Sequence, residues 1–195
     1  MSKYKSENPI YRTKNKVFRV NSGKNKPIFT HQMRKIIEQM ENTITKHSRT
    51  FIVVFDLRVA TFSSDNNGLK ILLSKLRFYL RRYYNIKRLG YTWCREQYKS
   101  SKQHYHMALM LDGSKIQYPH KLLKTISSMW HDITDGGHLY TPKNCYYMIK
   151  RGDPSFEETK AEAIYRLSYQ AKVKTKEKNT ASTNDYGTSQ LKQNK

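Results

Sequence analysis

The chain has 195 residues, with 37 Lys and Arg against 15 Asp and Glu, a net charge of +22, and 37% hydrophobic residues. That is one core's worth of apolar material, in a single domain with flanking segments rather than two full domains. A charge excess of this size implies an anionic polymer as partner, nucleic acid first. It argues against a membrane role, because no apolar run of roughly 18 residues is present and the N-terminal stretch lacks the apolar centre of a signal peptide. The expected location is the cytoplasm. Two cysteines, Cys94 and Cys145, suit a reducing compartment and supply no disulfide framework.

Residues 1–30 are polar and basic with scattered Asn, Pro and Gly, and read as an irregular basic arm that is either solvated or laid on DNA phosphates. From Met33 the apolar residues Ile36, Ile37, Met40 and Ile44 recur at helical spacing, which predicts a helix over 31–47 with Thr30 as N-cap. Phe51 to Val59 is apolar on both faces for most of its length and predicts a central strand. Asp56 and Arg58 share one face at its end, either as a local pair or as part of a site. Ser64 or Asp65 can cap a helix over 66–84, whose stripe of Leu69, Leu72, Leu73 and Leu76 packs while Lys70, Lys75, Arg77, Arg81 and Arg82 face water or DNA.

Tyr91–Glu96 and His104–Leu111 then predict two strands joined by a polar connection, an antiparallel hairpin closed by the Asp112-Gly113 turn signal. Leu122, Leu123, Ile126, Met129 and Trp130 predict a helix over 119–131, and Cys145–Ile149 a further strand. Ser155 with Glu158 forms a capping-box pattern at the head of a helix over 155–174. The remainder is polar and reads as a mobile tail over 179–195, which leaves residues 31–178 as the folded domain.

The hairpin carries the chemistry. Residues i and i+2 of a strand point to one face, so His104 and His106 project side by side. With the turn centred near Ser100, Glu96 lies opposite His104 and Cys94 opposite His106, with cross-strand Cβ atoms roughly 4.5–5.5 Å apart. Two neutral imidazoles and a carboxylate make three ligands with open positions, a set suited to Mn²⁺ or Mg²⁺ acting on a phosphate; zinc would favour a sulfur such as Cys94. On the late helix, Tyr165, Tyr169 and Lys172 fall at i, i+4 and i+7 on one face. A tyrosine oxygen can attack a DNA phosphate and hold it as an ester, and the lysine can orient or neutralise that phosphate. Lys172 to Lys178 is either a solvated charge run or a DNA grip.

His-Tyr-His on a strand followed by helical Tyr-x-x-Lys resembles the HUH endonucleases that initiate rolling-circle replication. More narrowly, Phe55-Asp-Leu-Arg58, Trp93-Cys-Arg-Glu96, His104-Tyr-His-Met-Ala-Leu109, Trp130 and Ser168-Tyr-Gln-Ala-Lys172 with Thr175-Lys176 resemble the inovirus-type initiators, also found in prophages. The resemblance implies an α+β fold, a central antiparallel sheet of about five strands flanked by helices and related to the RNA-recognition fold. It implies His104, His106 and Glu96 as ligands for Mg²⁺ or Mn²⁺, with Asp56 behind them. Tyr169 is then the nucleophile that nicks an origin and stays on the 5′ phosphate, Lys172 its helper, and Tyr165 a second tyrosine of the kind some initiators alternate with the first. Arg58, Arg166, Lys174 and Lys176 are the expected contacts to single-stranded or hairpin DNA. No Gly-Lys-Ser/Thr phosphate loop occurs, so a host helicase and polymerase are the implied partners, in a bacterial cell. A DNA-binding regulator without catalysis, or a transposase or relaxase with the same chemistry, are the other readings.

Overall fold

A computed structural model describes residues 4–13, 16–97, 102–173 and 184–192. In chain order the elements are β1 (Lys5–Ser6), β2 (Ile10–Arg12), β3 (Val17–Arg19), β4 (Ile28–Phe29), α1 (Thr30–Lys46), β5 (Arg49–Arg58) and α2 (Asn67–Tyr84). They continue with β6 (Gly90–Glu96), β7 (His104–Asp112), α3 (His120–Thr134), β8 (His138–Tyr140), β9 (Tyr146–Lys150), α4 (Phe156–Leu167), a 3₁₀ turn over Ser168–Ala171, and β10 (Tyr186–Thr188).

The fold is α+β, as expected, with six strands in the main sheet. β5 runs through its middle, apolar on both faces. β7, β6 and β10 follow on one side, while β8 and β9 share the other edge of β5, one at each end. Every pairing is antiparallel.

Side-chain alternation divides this sheet into two layers. Phe51, Val53, Phe55 and Leu57 of β5, with Tyr105, Met107, Leu109 and Leu111 of β7, meet the leucine stripe of α2 and Leu122, Leu123, Ile126 and Trp130 of α3. Ile52, Val54, Ala108 and Met110 face the other way and meet Met33, Ile36, Ile37 and Met40 of α1 and Ile164 and Leu167 of α4. At one end of this second face the apolar residues stop and polar ones take their place: Asp56, His106 and Cys94 pair across the sheet, and so do Arg58, His104 and Glu96.

Among the described residues, the segments read from sequence as arm and tail contribute strands. β1 pairs with β4 and β2 with β3, and Phe18 and Val20 enter the same core as α4. Thr30 begins α1 but does not cap it; its hydroxyl donates to the Tyr4 carbonyl and ties β1 down. In the tail, β10 closes the edge of β6 with Gly187 opposite Trp93. Only glycine fits there, since a Cβ would meet the indole ring at 2.6 Å. The tail is latched further by α1, where Gln39 Oε1 accepts from the Ser189 hydroxyl and the Leu191 amide.

Helix ends also differ from the capping patterns. Asp65 sits ahead of α2 and its carboxylate accepts from the Asn67 amide. At α4 the Ser155 hydroxyl is diverted to the Asp153 carboxylate, so the capping box does not form. α4 ends at Leu167, short of the expected 174, and the chain tightens into the 3₁₀ turn that carries Tyr169. Each residue there advances by about 120° rather than 100°, which changes where that side chain points.

The arm is fastened through one carboxylate. Glu41 of α1 accepts from Lys160 of α4 at 2.8 Å and from Lys16 at 3.0 Å, and Lys160 is only 2% exposed. Burial pushes the Glu41 carboxyl up, but the two lysines outweigh it and hold it below its ordinary 4.5. A depressed acid contributes stability above its unfolded value and loses it as pH falls through the folded one. Glu41→Gln strands a buried ammonium and is expected to cost about 3 kcal/mol in urea unfolding at neutral pH. The difference between variant and parent should shrink as pH drops below about 4.5.

Candidate active site

The polar end of the second sheet face brings together residues from four elements. Glu96 closes β6 and is 3% exposed. His104 and His106 stand on β7 and Asp56 on β5. Glu96 Oε2 lies 3.0 Å from His106 Nε2 and 3.6 Å from His104 Nε2. Its other oxygen faces the Cys94 thiol at 3.9 Å. The expected pairing of Glu96 with His104 and of Cys94 with His106 is the register observed.

Asp56 supports the cluster from behind. Its Oδ1 is 2.6 Å from His106 Nδ1, a contact made possible because Asp56 pairs directly with His106 across β5 and β7. Burial pushes His106 down, but the carboxylates of Asp56 and Glu96 outweigh it and raise the imidazole from 6.5 to about 9. The two carboxylates thus favour the charged form of His106. His106 Nδ1 faces Asp56 at 2.6 Å and Nε2 faces Glu96 at 3.0 Å, so carboxylates hold the ring at both nitrogens.

The donor set fits a divalent ion. Among the described residues, one ligand atom each from Glu96, His104 and His106 lie within 4.8 Å of one another. Two imidazole nitrogens and a carboxylate are a donor set that several divalent ions accept, and Cys94 is outside this group.

Tyr169 reaches the cluster from the opposite side. Its ring stands edge-on to His106 with centroids 5.0 Å apart. Burial raises its phenol, and the charges of Glu96 and Asp56 add to the rise, to about 12. Lys172 lies beyond the 3₁₀ turn, not on the helix face that sequence spacing implies, yet its ammonium sits 4.5 Å from the Tyr169 ring centroid. Burial lowers the Lys172 pKa, and the nearby Lys26 lowers it further. A bridge between Ile28 and Lys172 holds this segment against the N-terminal region.

The remaining sequence candidates are placed differently. Tyr165 is one turn earlier and stacks on Arg19, 5.5 Å from its guanidinium, rather than on the histidines. Arg58 lies over the Tyr140 ring at 5.6 Å. Arg166 lines a pocket of about 180 Å³ that also contains Asp56, His106, Pro142 and Tyr169. Lys174 and Lys176 lie outside the described residues. Sequence reasoning did not find Arg19, Lys26, Pro142 or Lys143. They reach the site through tertiary packing of segments far apart in the chain, and no local spacing marks them.

Fold and site together define a class: an α+β domain whose antiparallel sheet presents a carboxylate and two histidines to a tyrosine on a late turn. The chain belongs to the YagK/YfjJ C-terminal domain family, whose model matches residues 11–189. It is similar to the uncharacterized protein YfjJ of Escherichia coli (strain K12), at 30% identity over 101 residues. That match covers 45% of this chain and 49% of YfjJ, so it spans about half of the relative's length. No solved structure matches the chain. Among the described residues, no helix is long and apolar enough to cross a membrane.

Two substitutions separate ligand from support. Glu96→Gln keeps the shape and removes the charge, and is expected to weaken Mn²⁺ binding by at least about 100-fold, read by calorimetry. Asp56→Asn leaves the ligands in place and is expected to cost about 10–100-fold, as supporting partners of metal-bound histidine do. Equal affinities for parent and Glu96→Gln would exclude the cluster as the metal site.

Proposed function

We propose that this chain is a replication initiator that nicks and rejoins DNA at a specific site through a covalent tyrosine–5′-phosphate intermediate, starting rolling-circle replication. The observation that carries this reading is the contact of Tyr169 with His106, at 5.0 Å between centroids, beside the Glu96–His104–His106 group. A nucleophile and a set of metal ligands, from segments more than sixty residues apart, meet at one end of the sheet.

The roles follow from the geometry. Glu96, His104 and His106 would hold a Mg²⁺ or Mn²⁺ ion, which when bound polarises the scissile phosphate and offsets charge developing on its oxygens. Asp56 fixes the His106 ring so that Nε2 faces the ligand position. Tyr169 forms the new oxygen–phosphorus bond as the bond to the 3′ oxygen breaks, and the phenolic proton ends on the freed 3′ hydroxyl. One phosphodiester replaces another, so rejoining needs no nucleotide hydrolysis. Burial and the charges of Glu96 and Asp56 oppose the phenolate of Tyr169, so attack needs positive charge beside the ring. Lys172, over the same ring, and Arg166, in the adjoining pocket, supply the positive charge that seats a phosphate there. The basic surface of the chain draws DNA to the cleft. Unwinding and synthesis fall to a host helicase and polymerase in the bacterial cytoplasm.

Incubation with single-stranded origin DNA and Mn²⁺ is expected to give a denaturation-resistant protein–DNA band. Tyr169→Phe should abolish that band while DNA binding persists, and EDTA should abolish it in the parent. Lys172→Ala is expected to slow its appearance by about 100-fold, the scale of losing one preorganised charge at a reacting group. A band that survives Tyr169→Phe and vanishes in Tyr165→Phe would reassign the nucleophile. Binding that ignores EDTA, with no band under any condition, would point to a regulator without catalysis.

A further inference from the structure

Beside Tyr169 the surface opens into a cleft of about 1020 Å³, above the roughly 300–1,000 Å³ range of small-molecule sites. Its walls come from β3 with Asn21, the loop before β9 and the first residues of β9, α4, and Tyr169 of the turn after it. Arg19, Lys143 and Arg166 contribute cations, Tyr147 and Tyr165 contribute rings, and Glu162 is the acid that lines it. Tyr169 and Arg166 line both this cleft and the small pocket at His106, so the two adjoin there. Tyr165 lines only the larger one.

The wall contributed by β3 is built in. Phe18 and Val20 are buried in the core with Ile164 and Leu167, so the residue between them, Arg19, points outward by strand alternation. The Ser168 hydroxyl accepts from the Asn21 amide at 2.7 Å and donates to the Tyr165 carbonyl at 2.6 Å. This relay joins the β3 segment to the end of α4. Arg19 is thereby placed over the Tyr165 ring at 5.5 Å. Tyr165 remains 39% exposed, although it belongs to a helix packed on the core. A planar cation and an accessible π-face are held together, the two features that a phosphate and an unpaired base each require.

We infer that this cleft is a nucleotide-stacking subsite for a single DNA strand leaving the scissile phosphate, with Tyr165 as its base platform and Arg19 as its phosphate clamp. The inference rests on the reading of Tyr169 as nucleophile for the direction of the strand. It assigns Tyr165 to binding through its ring, not to attack through its hydroxyl. The N-terminal region then has a function: β3 supplies the wall opposite α4.

The test uses the full chain carrying Tyr169→Phe, so that no chemistry intervenes, and reads anisotropy of a short labelled oligothymidine and a matching abasic strand. Adding Tyr165→Ala is expected to weaken oligothymidine binding by about tenfold, within the range for losing one stacking platform. Tyr165→Phe should bind like its parent, because the ring is kept. On the abasic strand, Tyr165→Ala and its parent should bind alike, while Arg19→Ala and Lys143→Glu should weaken both strands. Parent-like affinity of Tyr165→Ala for oligothymidine, or equal losses in Tyr165→Ala and Tyr165→Phe, overturns the inference. Should Tyr165→Ala fail to fold by circular dichroism, the surface variants decide, and parent-like binding in both overturns it. With Tyr169 intact, Tyr165→Phe should still form the covalent band, and loss of that band overturns the stacking role. Persistence of the band in Tyr169→Phe alone refutes the nucleophile and leaves the affinity comparison intact.

Discussion

A carboxylate with almost no solvent access has to be compensated where it stands. Glu96 meets this requirement at the end of a sheet face, where His104 and His106 approach one of its oxygens. Much of the architecture serves that placement. β7 supplies both histidines at the spacing a strand allows, β5 brings Asp56 to the far side of His106, and the turn after α4 closes the top with Tyr169. The same two carboxylates, Glu96 and Asp56, raise the His106 imidazole and favour its charged form.

The rear of the same strands is fastened with equal care. Arg95 and Tyr105 alternate with the ligands and point to the opposite face. Arg95 is fully buried and donates to the carbonyls of Ser63 and Asp65, while the Tyr105 hydroxyl is 3.0 Å from Asn66 Oδ1. The loop between β5 and α2 is thus pinned to the hairpin that bears the ligands, and Trp130 of α3 adds a hydrogen bond to the Arg58 carbonyl at 2.8 Å. Glu96 and the two histidines on one face and these anchors on the other share one backbone, so the anchors help to set the position of the cluster.

What the sequence shows of this is uneven, for physical reasons. The hairpin register is legible because a short connection leaves few pairings, and one assumed turn centre places Glu96 against His104. Helices α1, α2 and α3 are legible because their apolar stripes repeat over several turns. β2, β3 and β10 are not, since two or three residues cannot display a period and their pairing depends on distant partners. Tyr186-Gly-Thr reads as tail until Trp93 lies opposite Gly187. Asp56 could be suspected from its position at a strand end, but its bond to His106 follows from pairing between β5 and β7, fifty residues apart. The 3₁₀ turn carries no compositional mark, so the helical spacing of Tyr165, Tyr169 and Lys172 suggests a common face where the backbone makes two.

β8 and β9 run along the same edge of β5 but do not join. Residues 141–144 leave the edge between them, the Cys145 carbonyl still accepting from the Val54 amide, and Pro142 and Lys143 from this break border the small pocket and the large cleft respectively. An unbroken strand would have continued the hydrogen-bond ladder past Val54, with no loop over the cleft. The interruption leaves a short surface loop beside the end of the sheet that carries His104 and His106, and loops tolerate substitution and insertion far better than the strands they connect.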